Sequence, residues 1–280
     1  MPKTHPIPQL SIVVPLGRDL AGFESTLISV LENQPDGSEV LVPHDGSYDD
    51  PFDLCEEVRF VVANSSKTLD LVGAAATQAR GRFVHVLAEG IRATFGWTDE
   101  VLECFDHFDT GVVAPVIRSA SNHRIMAAGW SDSTSRLCRS ASQGNGTADP
   151  SSRVGAYLQA SFWRRDVLRS MHRAFDGTDT VEGSVAYHHL ARKAGWRTEL
   201  APASTVLCDG ARLPWESSSL SRGLRLRAIR NHFLGGGWSQ SMTAGGAAMI
   251  TSLLSPGLLF EAVGQGFAPM VANQVAGLLH

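Results

Sequence analysis

Residues 39–50 read EVLVPHDGSYDD. The apolar run VLV at 40–42 passes through a proline and a histidine into Asp45, Gly46 and Ser47. Such a run, ending in turn-forming residues, is typical of a buried strand and the turn that closes it. Asp45 can accept hydrogen bonds from a ligand, Gly46 lets a ligand approach the backbone, and Ser47 can cap the next segment. An Asx turn that only closes the strand explains the same residues equally well.

Similar apolar runs alternate along the chain with segments of helical periodicity. Runs typical of strands lie at residues 10–15, 58–63, 82–87 and 111–117, and apolar residues recur at helical spacing over 21–33 and 69–81. Strand and helix alternate with short connections, and the strands are continuously apolar. This pattern predicts an α/β fold with a mostly parallel sheet and helices on both faces. Ligands of such sheets bind beyond the carboxyl ends of the strands, which is where Asp45 lies.

The second half of the chain predicts further elements and a separate tail. SFWRRDVL at 161–168 predicts a strand running into a helix, and 181–197 and 225–234 predict helices. We therefore expect a main domain over residues 1–235 and a C-terminal helical appendage over 236–280.

The appendage has an unusual composition, because residues 239–260 carry no formal charge. Gly245, Gly246 and Pro256 interrupt its apolar runs, which argues against a helix that spans a membrane. We expect the appendage to cover an apolar surface of the main domain or to lie on a membrane face.

Overall composition excludes several classes of protein. The net charge is −4 and the pI is about 6.2, so nothing indicates a nucleic-acid partner. The four cysteines lie far apart and form no Cys-x-x-Cys pair. They predict reduced thiols, not a disulfide framework or a zinc site. The first ten residues, MPKTHPIPQL, contain no apolar segment of signal-peptide length, so we expect a cytoplasmic protein that is peripheral to a membrane if its tail binds one.

Several segments, taken in order, resemble family 2 glycosyltransferases of the GT-A fold. They are LSIVVPLGRD, LISVLENQ, EVLVPHDGSYDD, ARGRFVHVL, SFWRRDVL, VEGSVAYHHLARKAGWR and RAIRNHFL. No one of them is specific, but their order and spacing match over residues 10–234. The resemblance implies a GT-A fold and transfer of a sugar from a nucleotide-sugar donor to an acceptor hydroxyl, on a glycan or a lipid-linked molecule.

The resemblance also assigns a nucleotide pocket. In the family, the first strand and the Asp-Gly-Ser segment hold the nucleotide, so Asp45 would accept a hydrogen bond from the base. Gly17 and Arg18 stand where the family usually has Tyr-Asn, and Gly73 stands in place of the asparagine of an Arg-Asn pair. The nucleotide-binding residues implied are Pro15, Leu16, Arg18, Asp45, Gly46, Ser47 and Gly73.

The metal motif of the family is altered here. Members usually carry Asp-x-Asp after the fourth strand to hold Mg²⁺ or Mn²⁺ on the donor diphosphate, whereas this chain has Ala88, Glu89 and Gly90. A hard cation prefers several oxygen ligands, and only Glu89 remains as a candidate metal ligand. Its middle position directs it away from the side on which the flanking acids would lie. The sequence therefore assigns no cofactor with certainty, although the family would use Mg²⁺ or Mn²⁺. We expect any activity to depend weakly or not at all on a metal.

The base position is altered as well. Where the family has Glu-Asp at a helix start, this chain has Glu182 and Gly183. Glu182 is therefore the candidate base that deprotonates the acceptor, or it only favours the helix N-terminus through the dipole. A set of arginines before the tail could bind a diphosphate in place of a cation, or could form a solvated or lipid-facing helix surface. These arginines are Arg222, Arg225, Arg227 and Arg230.

Two further hypotheses remain beside a glycosyltransferase. The loss of acids at Ala88, Gly90 and Gly183 is compatible with an inactive descendant that binds a nucleotide, a glycan or a protein. An unrelated nucleotide-binding α/β enzyme is the third, although the sequence has neither Gly-x-Gly-x-x-Gly nor a P-loop.

Overall fold

The structure is a computed structural model of the chain. It describes residues 7–48, 50, 53–132, 137–141, 155–177, 179–253 and 255–280. All four cysteines fall within these ranges and are free, as the sequence predicted.

The elements follow one another in the order expected of an α/β protein. The strands are β1 (Leu10–Val13), β2 (Glu39–His44), β3 (Arg59–Val62), β4 (Phe83–Leu87), β5 (Ile91–Ala93), β6 (Thr110–Ser119), β7 (Ile125–Ala128), β8 (Trp130–Ser131), β9 (Arg139–Ser140), β10 (Ala160–Arg164) and β11 (Arg197–Cys208). The helices are α1 (Leu20–Glu32), α2 (Thr68–Gln78), α3 (Asp99–Cys104), α4 (Arg165–Ala174), α5 (Thr180–Lys193), α6 (Leu220–Leu234), α7 (Trp238–Thr251), α8 (Pro256–Gly266) and α9 (Ala272–Ala276), with a 3₁₀ turn at Ala268–Val271.

The central sheet has the order β3-β2-β1-β4-β10-β6-β11-β5, and β7 pairs with β6. Strands β3, β2, β1 and β4 pair in parallel, and so do β6 and β11. Because β10 is antiparallel to both β4 and β6, these two groups point in the same direction. The predicted α/β class with a mostly parallel sheet is therefore confirmed, with β10, β5 and β7 as the reversed strands.

The position of β1 locates a crevice. This strand pairs with β2 on one side and with β4 on the other, so the chain changes its direction of travel across the sheet at β1. Loops after neighbouring strands then diverge, and ligands of open α/β sheets bind in the resulting crevice at the carboxyl ends. All residues of β1 and β4 are buried, which explains why their sequences are apolar except at Ser11 and His85.

Strands β5 and β11 of the central sheet were not predicted from the sequence. β5 has three residues, and it follows Gly90, whose φ of 78° lies in the left-handed region. β11 is twelve residues long, and its pairing with β6 is interrupted between Ala201 and Thr205. Polar residues at 197–199 and 204–205 interrupt β11, so it lacks the continuous apolar run that marked the other strands.

The C-terminal segment packs on the main domain through α6. Helix α6 ends at Gly235, whose φ of 73° provides a left-handed cap, and α7 begins three residues later. Helices α7 and α8 pack against each other, and α8, the 3₁₀ turn and α9 pack against α6. The end of the chain then pairs with the segment after α4, since Asp176 N–H donates to the Leu278 carbonyl and His280 N–H to the Ala174 carbonyl.

Among the described residues, none of the helices combines the length and the apolar character needed to cross a membrane.

Candidate active site

A cavity of about 360 Å³ lies at the carboxyl ends of β1 and β4. Its walls come from the loops after these two strands, from the start of α5 and from the chain that leads into α6. The residues that matter for its chemistry are Pro15, Gly17, Ala88, Glu89, Gln159, Asp179, Thr180, Glu182, Trp215 and Arg222. The cavity therefore occupies the crevice that the strand order creates.

Glu182 is the most buried carboxylate of this cavity, with 5% of its surface exposed. One carboxylate oxygen accepts a hydrogen bond from Arg225 Nε in an ion pair with α6. The other oxygen, Oε2, is buried and has no hydrogen-bond partner within the described ranges. Burial raises the pKa of Glu182, although the hydrogen bond and the charge of Arg225 oppose the shift. A buried carboxylate with one unoccupied oxygen can accept a proton from a group bound in the cavity.

The start of α5 positions Glu182. Asp179 is the N-cap, and its Oδ1 accepts from the backbone N–H groups of Val181 and Glu182 at 2.9 and 3.0 Å. The sequence Asp-x-x-Glu is that of a capping box, in which the glutamate would reach back to the N-cap N–H. Here Glu182 pairs with Arg225 instead. The N-cap alone fixes the helix start, and the glutamate is left to face the cavity.

Gln159 ties the end of β4 to α5. Its Nε2 donates to Thr180 Oγ1 at 2.6 Å, its Oε1 accepts from Ser184, and its backbone carbonyl accepts from Ala88 N–H. Gln159 and Thr180 both line the cavity. The side of the cavity that carries Glu182 is thereby bonded directly to the end of β4.

Arg222 supplies a positive charge to the wall. Its terminal nitrogens donate to the carbonyls of Trp215 and Cys138, and each keeps one further N–H. Its Nε lies 3.6 Å from Glu261 Oε2 of α8, and Glu261 also pairs with Arg139. The appendage therefore contributes a buried carboxylate that fixes a cavity-lining guanidinium.

The other predicted arginines point elsewhere. Arg227 is buried and donates to Gln265 Oε1 at 2.8 Å. Arg230 lies 3.6 Å from Asp132. The interpretation of the four arginines as a solvated helix face is wrong, because the turns of α6 direct them into contacts with α5, α8 and the segment after β8.

Glu89 is engaged by the loop after β1. Its Oε2 accepts from the Asp19 backbone N–H at 3.0 Å. A β-carbon on Gly17 would lie 1.6 Å from the same oxygen, so glycine is needed there for the carboxylate to occupy this place. Gly90 adopts a left-handed φ that favours glycine. Two of the three residues at the metal motif thus have structural roles.

The cavity does not fit a resident divalent cation. In the described part of the chain, the one group of three or more potential ligands close enough to share an ion is Asp50, Asp53 and Cys55. None of these three lines the cavity. Glu89 and Glu182 have protein partners of their own. Mg²⁺ or Mn²⁺ would therefore depend on water and ligand oxygens for most of its coordination.

The turn after β2 forms with its carboxylate exposed. Ser47 donates to Asp45 Oδ1 from its backbone N–H at 3.1 Å and from its hydroxyl at 2.6 Å. These two bonds lower the pKa of Asp45. Gly46 has a φ of 93°, which glycine adopts without strain. This is the Asx turn that the sequence allowed, and neither Asp45, Gly46 nor Ser47 lines the 360 Å³ cavity.

The remaining residues predicted to bind the nucleotide lie in the loop after β1 and in helix α2. Pro15 lines the cavity, and Leu16 N–H donates to the Pro43 carbonyl, which joins the loop after β1 to strand β2. Arg18 is exposed. Gly73 lies in α2, where a β-carbon would meet His172 of α4 at 2.0 Å, so its role in the structure is to let these two helices approach.

Sequence reasoning missed Asp179, Gln159 and Glu261. The Asp-x-x-Glu spacing was the available signal for Asp179. No local pattern marks Gln159 or Glu261, because tertiary contacts alone bring β10 and α8 to this site.

No family model and no curated protein matches the sequence. Solved structures do match. Mannosyltransferase PcManGT from Pyrobaculum calidifontis, in complex with GDP-Man and Mn²⁺, is 14% identical, and the match covers 97% of this chain and 74% of that one at a TM-score of 0.49. TarS 1-349 from S. aureus is 11% identical, with 95% and 91% covered and a TM-score of 0.54.

The likeness to TarS concerns the fold, since the identity is low. The GT-A type of α/β fold expected from the sequence is confirmed at this level.

Proposed function

We propose that the protein is a glycosyltransferase that moves a sugar from a nucleotide-sugar donor to an acceptor hydroxyl. The observation that carries the proposal is Glu182: a buried carboxylate with one unpartnered oxygen, on a residue that lines the cavity at the carboxyl ends of the sheet. The GT-A type of fold supports the choice of reaction.

The donor would extend from the turn after β2 into the cavity. Asp45 has one carboxylate oxygen that Ser47 does not occupy, and it can accept from the N–H of a base. The Leu16–Pro43 hydrogen bond joins this turn's strand to the loop that carries Pro15 and Gly17. Arg222 then supplies N–H donors to the diphosphate. The planar guanidinium group matches the geometry of phosphate oxygens.

In this reaction the protein takes part in one proton transfer, from the acceptor hydroxyl to Glu182. The acceptor oxygen bonds to the anomeric carbon as its proton passes to Glu182 Oε2. The bond between the anomeric carbon and the phosphate oxygen breaks, and the nucleoside diphosphate leaves with that electron pair. The raised pKa of Glu182 brings it closer to working pH than an exposed glutamate, which favours a general base. No step is assigned to a metal, since the described residues of the cavity do not form a site for one.

A binding protein without activity is the second candidate. The ion pair of Glu182 with Arg225 and the hydrogen bond from Asp19 to Glu89 favour it, because both carboxylates already have partners. Such a protein would still bind a nucleotide, a glycan or another protein. It would bind the donor and leave the sugar–phosphate bond intact. A cytoplasmic location stays a prediction in either case.

A thermal-shift screen with the diphosphates of uridine, guanosine, cytidine and thymidine tests the pocket. At a ligand concentration about 100 times the dissociation constant, we expect about 2.7 kcal/mol of stabilisation. The screen is repeated with manganese and with a chelator, and we expect similar shifts in both. A positive diphosphate is then tested as its nucleotide-sugars, with release of the diphosphate as the readout. Absence of any shift at millimolar ligand would exclude the pocket, and binding without release would favour the binding protein.

A further inference from the structure

Helix α7 buries its small residues and exposes its large ones. The buried face carries Ser241, Ala244, Gly245 and Ala248. A helix packed on a protein core in water normally does the opposite, because burial of large apolar side chains is what stabilises it.

The exposed face of α7 forms an apolar stripe. Trp238, Met242, Met249 and Ile250 are exposed within the helix, and Leu253 is exposed two residues after its end. Their spacing keeps them on one side of a helix with 3.6 residues per turn. Phe260, Phe267 and Met270 add exposed apolar side chains from α8 and the following turn. We call these eight side chains the tail stripe.

Glycines join the helices of the appendage at close range. A β-carbon on Gly264 of α8 would lie 2.1 Å from the Leu220 carbonyl oxygen of α6. One on Gly245 of α7 would lie 2.9 Å from the Ala262 carbonyl oxygen of α8. Close backbone contact through small residues, with large apolar residues outside, is how helices pack when hydrocarbon is the surrounding medium.

The exposed surface of the appendage carries no side-chain charge. Glu261 is the only Asp, Glu, Lys or Arg among residues 236–280. It is 3% exposed and pairs with Arg139 and Arg222. Protein–protein interfaces usually combine an apolar centre with a polar, solvent-accessible rim, and arginine is enriched in them. An apolar stripe flanked by uncharged Ser, Thr, Gly and Gln can instead enter the boundary between headgroups and acyl chains, where binding strength scales with the buried apolar area.

We propose that the tail stripe docks on a lipid surface, with α7 lying in the plane of the membrane. Helix α7 has 14 residues and is about 21 Å long, shorter than the hydrocarbon core of about 30 Å, so it lies on the membrane and does not cross it. The contact is made by apolar side chains without help from charge. It does not depend on the proposed function.

Docking has a consequence for the active site if the proposed function holds. Glu261 of α8 holds Arg222, and Arg222 lines the cavity. The docked helices would bring this wall of the cavity towards the membrane. A lipid-linked acceptor is then the substrate class that the site would meet.

Vesicle binding of the whole protein tests the docking. The probe is phosphatidylcholine vesicles of small and large diameter, at low and at high salt. We expect the wild type to co-sediment, more strongly with the small vesicles, whose curvature exposes acyl chains, and with no loss at high salt. The test variant is Ile250→Gln with Leu253→Gln, at side chains 74% and 69% exposed. The matched control is Phe95→Gln with Phe108→Gln, at side chains 95% and 87% exposed.

The test variant should lose about tenfold or more of the vesicle partition coefficient, and the control should keep it. Vesicles should also shift the fluorescence of the wild type to shorter wavelength, and Trp238→Phe should remove that shift. The proposal is overturned if the wild type does not bind, if both double variants lose binding equally, or if binding requires anionic lipid and disappears at high salt. A dimer that Ile250→Gln with Leu253→Gln turns into a monomer, without vesicle binding, would show that a second copy covers the stripe.

Discussion

Glu182 and Asp45 are two carboxylates with opposite surroundings. Glu182 is buried, pairs with Arg225 across two helices, and has its pKa raised by burial. Asp45 is exposed, is bonded within its own turn by Ser47, and has its pKa lowered by those bonds. The sequence places Asp45 after a β-strand and Glu182 at a helix start, but it does not reveal which of the two carboxylates is buried.

The difference in burial and in pKa suits the two carboxylates to different roles. A carboxylate whose proton affinity is raised, with a free oxygen in a cavity, suits proton transfer. A carboxylate held ionised on the surface suits hydrogen-bond acceptance and binding. If this division holds, variants at Glu182 will change turnover, and variants at Asp45 will change binding.

The largest expected effect is on turnover of Glu182→Gln. Glutamine keeps the size of the side chain but cannot take the proton, so donor turnover should fall by about 10²–10⁴-fold. Diphosphate binding, measured by calorimetry, should be unchanged. Asp45→Asn is the matched variant: its kcat should stay near the wild-type value, while donor affinity falls about tenfold through one lost hydrogen bond. The assignment fails if the two variants exchange these effects.

The next effect is on stability. Arg225→Met leaves the buried carboxylate of Glu182 without its partner, and we expect the free energy of unfolding to fall by about 3 kcal/mol. Adding Glu182→Gln removes the unpaired charge and should restore most of it. Arg173→Met, at an exposed arginine of α4, is the control and should change little. Urea denaturation measures all four proteins, and equal losses at Arg225 and Arg173 would contradict a buried ion pair.

The third effect is a pair of opposite pH dependences. The folded-state pKa of Glu182 lies above its usual 4.5, so the folded state binds its proton more tightly. The resulting stability is present below pH 4.5 and lost as pH rises through the folded-state pKa. The folded-state pKa of Asp45 lies below 3.8, so its contribution is present above pH 3.8 and lost as pH falls through the folded-state pKa.

Melting curves against pH therefore distinguish the two carboxylates. Glu182→Gln should flatten the decline of Tm as pH rises above 4.5. Asp45→Asn should flatten the decline below 3.8 and leave the other limb unchanged. A Glu182→Gln variant whose Tm changes only on the acid side would show that Arg225 outweighs burial.

The smallest expected effect concerns the third carboxylate, Glu89. Gly17→Ala places a β-carbon where Glu89 Oε2 now lies, so the carboxylate must move away from Asp19 N–H. We expect a loss of about 1 kcal/mol in unfolding free energy, the usual contribution of one hydrogen bond. Gly246→Ala in α7, where nothing lies within 4 Å of the new carbon, should instead gain about 1 kcal/mol from helix propensity. Unfolding in urea with the same sign for both variants would contradict this contact.

Much of the sheet was predictable because burial leaves a local signature. The buried strands β1, β2 and β4 are short apolar runs, and α1 repeats its apolar residues at helical spacing. The direction of β10 was not predictable, since an apolar run looks the same in either orientation. Nor was β11, because polar residues interrupt its sequence and its irregular pairing depends on β6 and β5 beside it.

The candidate site was predictable only where a local motif marks it. The substitution of the Asp-x-Asp motif by Ala88, Glu89 and Gly90, and the acid left at Glu182, are visible in the sequence. The engagement of Glu89 with Asp19 is not visible, because the two residues are 70 positions apart.

The sequence by itself determined the strand–helix alternation, the crevice at the ends of its parallel strands, the acids available there and the uncharged tail. These properties depend on periodicity and composition, which act over a few residues. The tertiary structure decided that Glu182 would meet Arg225, that Glu261 would reach Arg222 from the tail, and that α7 would bury its small face. Burial and pairing of charges depend on which distant elements come together, and a linear pattern does not record that.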